Sequence, residues 1–270
     1  MSANVYREQL VQPGDRVISA LDNMSWDEAI AQVGEIGAHI GMGKTNSLHQ
    51  RTGADFAVAT LGENGLYTML DGKYHDIPET VEGHVREATL AGASLITVHA
   101  SGGVKMLEGA VKGREKGREL TRDVFRQAAI DRIGGVLGIT VLTSLDSDDC
   151  ESIFGIPKED TDGIKKKVVQ FAHMALDAGL DGIVCSSLEL EAIRSNSNFD
   201  GLLTVVPGIT PAFAKKAGDQ KRTTSAREAV ASGADLIVVG RAINKAEDYG
   251  MSKAEAAQAV AEEVKEGLAA

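Results

Sequence analysis

Apolar residues gather in eight short runs along this chain. They are VISALD (17–22), AHIGMGK (38–44), LYTMLDGK (66–73), SLITVHA (94–100), VLGITVL (136–142), GIVCSS (182–187), LTVVPGI (203–209) and DLIVVGR (235–241). Each has the length of a buried strand. The segments between them follow a helical period. In SWDEAIAQVGEIG, Ser25 stands three residues before Glu28, which is the capping-box spacing, and Trp26, Ala29, Ile30 and Val33 then share a face. In the last segment Ala254, Ala257, Ala261, Val264 and Leu268 recur at steps of three and four, with charges opposite. Strands alternating with helices imply an α/β protein with a parallel sheet, and eight units in this length match a single (β/α)8 TIM barrel. A doubly wound open sheet is the alternative, but it usually has fewer strands. No Pro-, Gly- or Ser-rich linker divides the chain, so residues 1–270 read as one domain, with 1–16 a short N-terminal extension. The polar stretch 144–162 after the fifth run is expected to be either a lid or a surface insertion.

Composition narrows the function classes. No apolar run reaches 18 residues, so no membrane-spanning helix is expected. The start, MSANVYREQLVQPGDR, lacks the basic-then-apolar pattern of a secretory signal, and a cytoplasmic protein is expected. Cys150 and Cys185 are too few for a disulfide framework or a four-ligand zinc site; reduced thiols and no metal are the expectation. A net charge of -11 argues against nucleic acid and anionic membranes as partners. It leaves room for a small anion held by local cations. The densest basic run, KGREKGRELTR (112–122), is interleaved with Glu115 and Glu119 and reads as a solvated helix face.

In a barrel the chemistry sits at the C-terminal ends of the strands. Asp22, Lys44, Asp71, Lys73, His99, Thr143 and Arg241 all stand at or just past the ends of predicted strands. Ion pairs serving stability alone would be distributed over both ends. Asp71 and Lys73, two apart on one strand, are expected to share a face. Asp76 lies beyond the strand, because Pro78 disfavours helix at Ile77, and it can reach Lys73 or a neighbouring subunit. Carboxylates near Lys73 favour its ammonium form, which suits a proton donor and not an amine nucleophile. The loops after the seventh and eighth strands, VPGITPAFAKKAGDQKR (206–222) and VVGRA (238–242), offer the backbone amides near Gly208 and Gly240, the Arg241 guanidinium and Gln220 to a phosphate. GMGKT (41–45) imitates a P-loop, but the required first glycine falls on Ala38. His75 and His99 are expected to be structural.

These residues resemble a known family. Asp22, Lys44 and the run D-x-K-x-x-D-I-P-x-T from Asp71 to Thr80, followed by HASGG (99–103), VLTS (141–144), VVPGI (205–209), AGDQKR (217–222) and VGR (239–241), resemble orotidine 5'-phosphate decarboxylase. The D-x-K-x-x-D core is shared with sugar-phosphate decarboxylases and aldolases of the same superfamily, whereas I-P-x-T and GDQ are more specific. The resemblance implies decarboxylation of orotidine 5'-monophosphate to uridine 5'-monophosphate and carbon dioxide, with no metal and no organic cofactor. It implies a homodimer with shared sites, in which Asp76, with Ile77 and Thr80, enters the partner's site. Lys73, Asp71, Asp76 and Lys44 would be catalytic. Asp22 and Lys44 would bind ribose, Thr143 and Ser144 would lie by the pyrimidine with Pro207 in the substrate pocket, and Gln220, Gly240 and Arg241 would hold phosphate. A magnesium-dependent sugar-phosphate decarboxylase or aldolase is the alternative, and a nucleotide-binding barrel without catalysis is a further one. The chain departs from the pattern at Thr210, where a common bacterial form has arginine, and at Gly43, where the family has an apolar residue before the lysine.

Overall fold

A computed structural model of the chain describes residues 3–121, 134–215 and 224–270. Eight parallel strands close into a barrel in sequence order, β1 pairing with β8. The strands are β1 (Val17–Ala20), β2 (Met42–Thr45), β3 (Tyr67–Tyr74), β4 (Leu95–His99), β5 (Gly135–Ile139), β6 (Gly182–Val184), β7 (Leu203–Val206) and β8 (Leu236–Val239). Every predicted apolar run overlaps one of them, β2 and β3 running one residue past their runs to Thr45 and Tyr74 and β5 starting one residue before its run at Gly135. Side chains alternate along each strand, as the pleat requires. Ile18 and Ala20 of β1, Leu203 and Val205 of β7, and Leu236 and Val238 of β8 fill the interior, while Val17, Val206, Ile237 and Val239 face the helices.

The helices that position the site are α2 (Trp26–Ile36), α3 (Ser47–Thr52), α4 (Ala54–Glu63), α5 (Pro78–Leu90), α6 (Val104–Thr121), α7 (Ser147–Phe154) and α8 (Gly163–Ala178), then α9 (Leu190–Arg194), α10 (Ala226–Ala231), α11 (Arg241–Asn244) and α12 (Lys253–Leu268), with α1 (Ala3–Glu8) preceding β1. Ser25 caps α2 as its spacing predicts, its hydroxyl accepting the Glu28 N–H while the Glu28 carboxylate accepts the Ser25 N–H. The buried face of α2 is Ala29, Gln32, Val33 and Ile36, and Ile30 is exposed. The buried face of α12 is likewise rotated from the predicted one. It uses Ala256, Ala257, Val260, Val264 and Gly267, and leaves Leu268 out. Gly267 decides this, because a Cβ there would stand 2.6 Å from the Arg227 carbonyl oxygen of α10.

Three features differ from the sequence reading. The N-terminal extension does not hang free of the barrel but packs on it: Tyr6 and Leu10 join the interior cluster at the bottom, and Arg7 pairs with Asp235 just before β8 at 2.7 Å. The basic run on α6 is not a solvated face throughout. Gly109, Gly113 and Gly117 lie against the backbone or side chains of α5, and Arg114 is buried on Asp181 at 2.6 Å. Lys112 and Lys116 do remain outside, both on Glu82. The polar stretch 144–162 contains α7, which buries Cys150 and sets Phe154 edge-on to Phe171 of α8. No helix among the described residues is long and apolar enough to cross a membrane.

Candidate active site

The C-terminal mouth of the barrel holds a cavity of about 780 Å³. Its charged wall comes from the first three strands. Asp22 follows β1, Lys44 is the penultimate residue of β2, and Asp71 and Lys73 lie near the end of β3. The side chains form one connected relay. Lys44 Nζ donates to Asp22 Oδ2 at 2.7 Å and to Asp71 Oδ2 at 3.1 Å, and Lys73 Nζ donates to the same Asp71 oxygen at 2.5 Å.

Local sequence explains the placement. Gly43 precedes Lys44 because a Cβ there would stand 2.9 Å from both methyls of Leu61 on α4. That accounts for the glycine where the family has an apolar residue. On β3 the ladder with β4 breaks between Leu70 and Tyr74, whose partners are Ile96 and Val98. Three residues of β3 therefore face one of β4, and Lys73 adopts φ +47°. Asp71 and Lys73 meet through this bulge and not through simple strand alternation, which corrects the geometric reason for the expected pairing. Two residues missed in the sequence hold the bulge. Asn46 donates from Nδ2 to the Asp71 carbonyl at 2.7 Å, and the Thr97 hydroxyl lies 2.9 Å from both the Lys73 N–H and Asp71 Oδ1. Neither announces itself by motif; both sit in apolar or polar runs with ordinary neighbours.

Electrostatics keep Lys44 and Asp71 charged. Burial works to lower the Lys44 ammonium, but Asp71 and Asp22, by charge and hydrogen bond, outweigh it and hold the group above its usual range. Burial works to raise Asp71, and the two lysines outweigh that, so the carboxyl lies below its usual range. Asp22 keeps one oxygen, Oδ1, buried and without a hydrogen bond among the described residues. His99 at the end of β4 is pushed down by burial, then by His75 and Lys73, its ring 5.5 Å from that of His75.

The opposite wall is largely backbone and apolar. Pro207, Gly208, Ile209 and Thr210 after β7, and Gly240, Arg241 and Ala242 after β8, line the cavity. Asn244 ties α11 down by donating to the Ala20 carbonyl at 2.8 Å and accepting from Gln32 at 2.7 Å. Thr143 lines the cavity, whereas Ser144 is exposed outside its lining. Asp76 and Ile77 are exposed on the loop between β3 and α5, with Thr80 on the first turn of α5, and none of the three lines this cavity. The Asp76 carboxylate accepts its neighbour's N–H, from Ile77, at 2.7 Å. Gln220 lies outside the described residues. Cys185, expected from the sequence only to be a reduced thiol, also lines the cavity; burial pushes its thiol up to about 12, so it is inert wall.

A closed (β/α)8 barrel with lysines and carboxylates converging on one cavity at its C-terminal mouth defines an enzyme scaffold for a small anionic ligand. Residues 15–259 match the model of the orotidine 5'-phosphate decarboxylase / HUMPS family. The chain is 38% identical over 253 residues to the orotidine 5'-phosphate decarboxylase of Anaeromyxobacter sp. (strain K), covering 93% of this chain and 99% of that one. It is 39% identical over 259 residues to the protein of the same name from Heliobacterium modesticaldum, covering 94% and 98%. The crystal structure of orotidine 5'-phosphate decarboxylase from Lactobacillus acidophilus superposes with a TM-score of 0.74 at 29% identity, over 93% of this chain and 99% of that chain. The chain belongs to the orotidine 5'-phosphate decarboxylase / HUMPS family.

Proposed function

We propose that this enzyme decarboxylates orotidine 5'-monophosphate to uridine 5'-monophosphate and carbon dioxide, the last step of de novo uridine 5'-monophosphate synthesis. The observation that carries the reading is the Asp22–Lys44–Asp71–Lys73 relay, with both ammonium groups on one Asp71 oxygen inside the cavity. Identity of 38–39% over more than nine-tenths of the chain to curated relatives of that name supports it.

The chemistry follows from the reaction's difficulty. Breaking the bond from C6 to the carboxylate leaves its electron pair on C6, in an orbital the ring π-system does not receive. The carbanion-like state must be stabilised by charge already in place. Lys73, held as ammonium, stands where that charge develops. It then gives its proton to C6, and solvent restores it. Asp71 lies beside the departing carboxylate and fixes both lysines. The free Asp22 oxygen accepts a ribose hydroxyl, with Lys44 donating beside it. Pro207 and Thr143 flank the pyrimidine, with Ser144 reaching in from its loop. Gly240, Arg241 and Gln220 hold the phosphate, whose binding energy positions the ring.

The catalytic unit in this reading is a homodimer. Asp76, exposed here with Ile77 and Thr80 behind it, enters the partner's cavity and completes the charge set around Lys73. Loss of orotidylate absorbance, followed with and without a chelator, tests the reading. Chelator-insensitive turnover abolished by Lys73→Ala is expected. Chelator-sensitive turnover of ribulose-type phosphates with orotidylate untouched assigns the site to a sugar-phosphate decarboxylase or aldolase instead.

A further inference from the structure

We propose that Thr97 is a positioning residue of this site, its single hydroxyl fixing Asp71 and Lys73 relative to each other across the β3–β4 seam; the role in turnover rests on the decarboxylase reading above. Thr97 lies mid-strand on β4, is fully buried, and does not line the cavity. A threonine in such a run ordinarily packs or bonds to its own backbone. Here the hydroxyl serves two residues that the proposed reaction uses. It accepts the Lys73 N–H at 2.9 Å and donates to Asp71 Oδ1 at 2.9 Å. One O–H and one lone pair suffice for both bonds.

The bulge makes this bridge necessary. With three β3 residues opposite Thr97 alone, the ladder supplies no regular partner for the Lys73 N–H. A lysine at φ +47° is also disfavoured relative to extended backbone, so something must hold it there. The hydroxyl does so in place of a ladder carbonyl. On the other side, both ammonium groups occupy Asp71 Oδ2. Thr97 occupies Oδ1 and so sets the rotation of the carboxylate. Without it, Oδ1 would be buried and unpaired, and the carboxylate would turn toward the lysines and carry Lys73 Nζ with it.

Thr97→Val keeps the shape and removes the hydroxyl, and Thr97→Ser keeps the hydroxyl and removes the methyl. The expected result is a fall in kcat of about a hundredfold for Thr97→Val, the scale of a misplaced reacting group. KM and uridylate affinity should stay at wild-type values, because ribose and phosphate contacts are untouched. Thr97→Ser should recover most of the rate. Wild-type kcat in Thr97→Val overturns the proposal, and so does a Thr97→Ser enzyme as slow as Thr97→Val, which assigns the effect to methyl packing. Should Thr97→Val not fold, Thr97→Cys carries the same comparison with a weak donor, and an intermediate kcat is expected; wild-type kcat there overturns the proposal. A crystal structure of the substituted protein needs no turnover. There the Asp71 carboxylate should be rotated and Lys73 Nζ displaced with it, or the Lys73 backbone should leave the left-handed region, and unchanged positions of both side chains and of that backbone overturn the proposal even if the wild-type protein leaves orotidylate intact. Failure of the wild-type protein on orotidylate, by contrast, sinks only the reading of the reaction.

Discussion

Lys44 and Lys73 bring their ammonium nitrogens to the same oxygen, Asp71 Oδ2, at 3.1 and 2.5 Å. Two like charges meet there only because one carboxylate lies between them and Asp22 draws Lys44 from the far side at 2.7 Å. Asp71→Asn keeps the shape and removes the charge. The lysines then repel, and Lys73 swings toward solvent, where it is already one-third exposed. Turnover of orotidylate should fall by about 100- to 1,000-fold, the scale of losing a preorganised electrostatic contact. Steady-state absorbance kinetics measure it, and a loss below about tenfold would show that Asp71 is not the hub of the site.

The same pairings set a pH window for stability. Asp71 is held below its usual 3.8, so its ionisation stabilises the fold fully above that value and the contribution is lost as pH falls through the lower folded pKa. Lys44 is held above its usual 10.5, so its contribution is full below that value and is lost as pH rises through the higher folded pKa. Between them the relay is constant. The stability difference between wild type and Asp71→Asn should be flat from about pH 5 to about pH 9, shrink below about pH 4, and shrink again where Lys44 loses its proton. Urea unfolding across pH reads it. A slope near neutrality would mean that a histidine such as His99, and not the relay, governs the difference.

How far the sequence revealed this site depends on which link is asked. Strand ends were legible because eight apolar runs and their polar termini repeat one unit, and Asp22, Lys44, Asp71, Lys73, Thr143, Pro207, Gly240 and Arg241 all line the cavity. The bulge was not legible. Nothing in LYTMLDGK marks extra residues, because the bulge is imposed by pairing with β4 and by Thr97, 24 residues from Lys73. Buried faces were misjudged where a glycine makes the contact. Gly113 and Gly117 on α6, and Gly267 on α12, count as neutral in a hydrophobic pattern, yet they are where neighbouring backbone or side chains come closest. Tyr6 and Leu10 looked like an extension because plugging a barrel bottom has no period.

Arg241 offers a test that separates remote binding from chemistry. It lines the cavity at the start of α11, away from the lysine relay in the chain, and touches no reacting atom in the proposed mechanism. Arg241→Ala should lower kcat/KM for orotidylate roughly 10- to 100-fold, as loss of a charge-assisted hydrogen bond does. For orotidine, which lacks the phosphate, kcat/KM should be unchanged. Parallel loss on both substrates would place Arg241 in the fold or the chemistry and not on the phosphate.

Arg114 predicts a stability effect without a catalytic one. It crosses from α6 to Asp181 at 2.6 Å, both side chains buried, and the same Asp181 oxygen accepts the Val136 N–H at 2.8 Å. Removing one partner leaves a buried charge, so Arg114→Met should destabilise by about 3–5 kcal/mol. Adding Asp181→Asn should restore part of that, because the amide oxygen still accepts from Val136 while the unpaired charge is gone. Urea denaturation of the single and double variants checks it, and kcat at a temperature where both stay folded should not move.

Asp76 carries the prediction that only two chains can answer. It is exposed, and its carboxylate accepts the adjacent Ile77 N–H. In the proposed dimer it completes the partner's charge set. Lys73→Ala and Asp76→Ala should each be nearly inactive alone. Mixed after dissociation and reassembly, heterodimers place both lesions in one site and leave the other intact. With free exchange, half of the dimers are mixed and each regains one of two sites, so activity should return to about a quarter of wild type, in proportion to the mixed fraction. Subunit exchange is verified by native mass spectrometry of tagged chains. If exchange is complete and activity stays absent, Asp76 acts in its own chain's site or not at all, and the shared-site arrangement falls while the Lys73 chemistry stands.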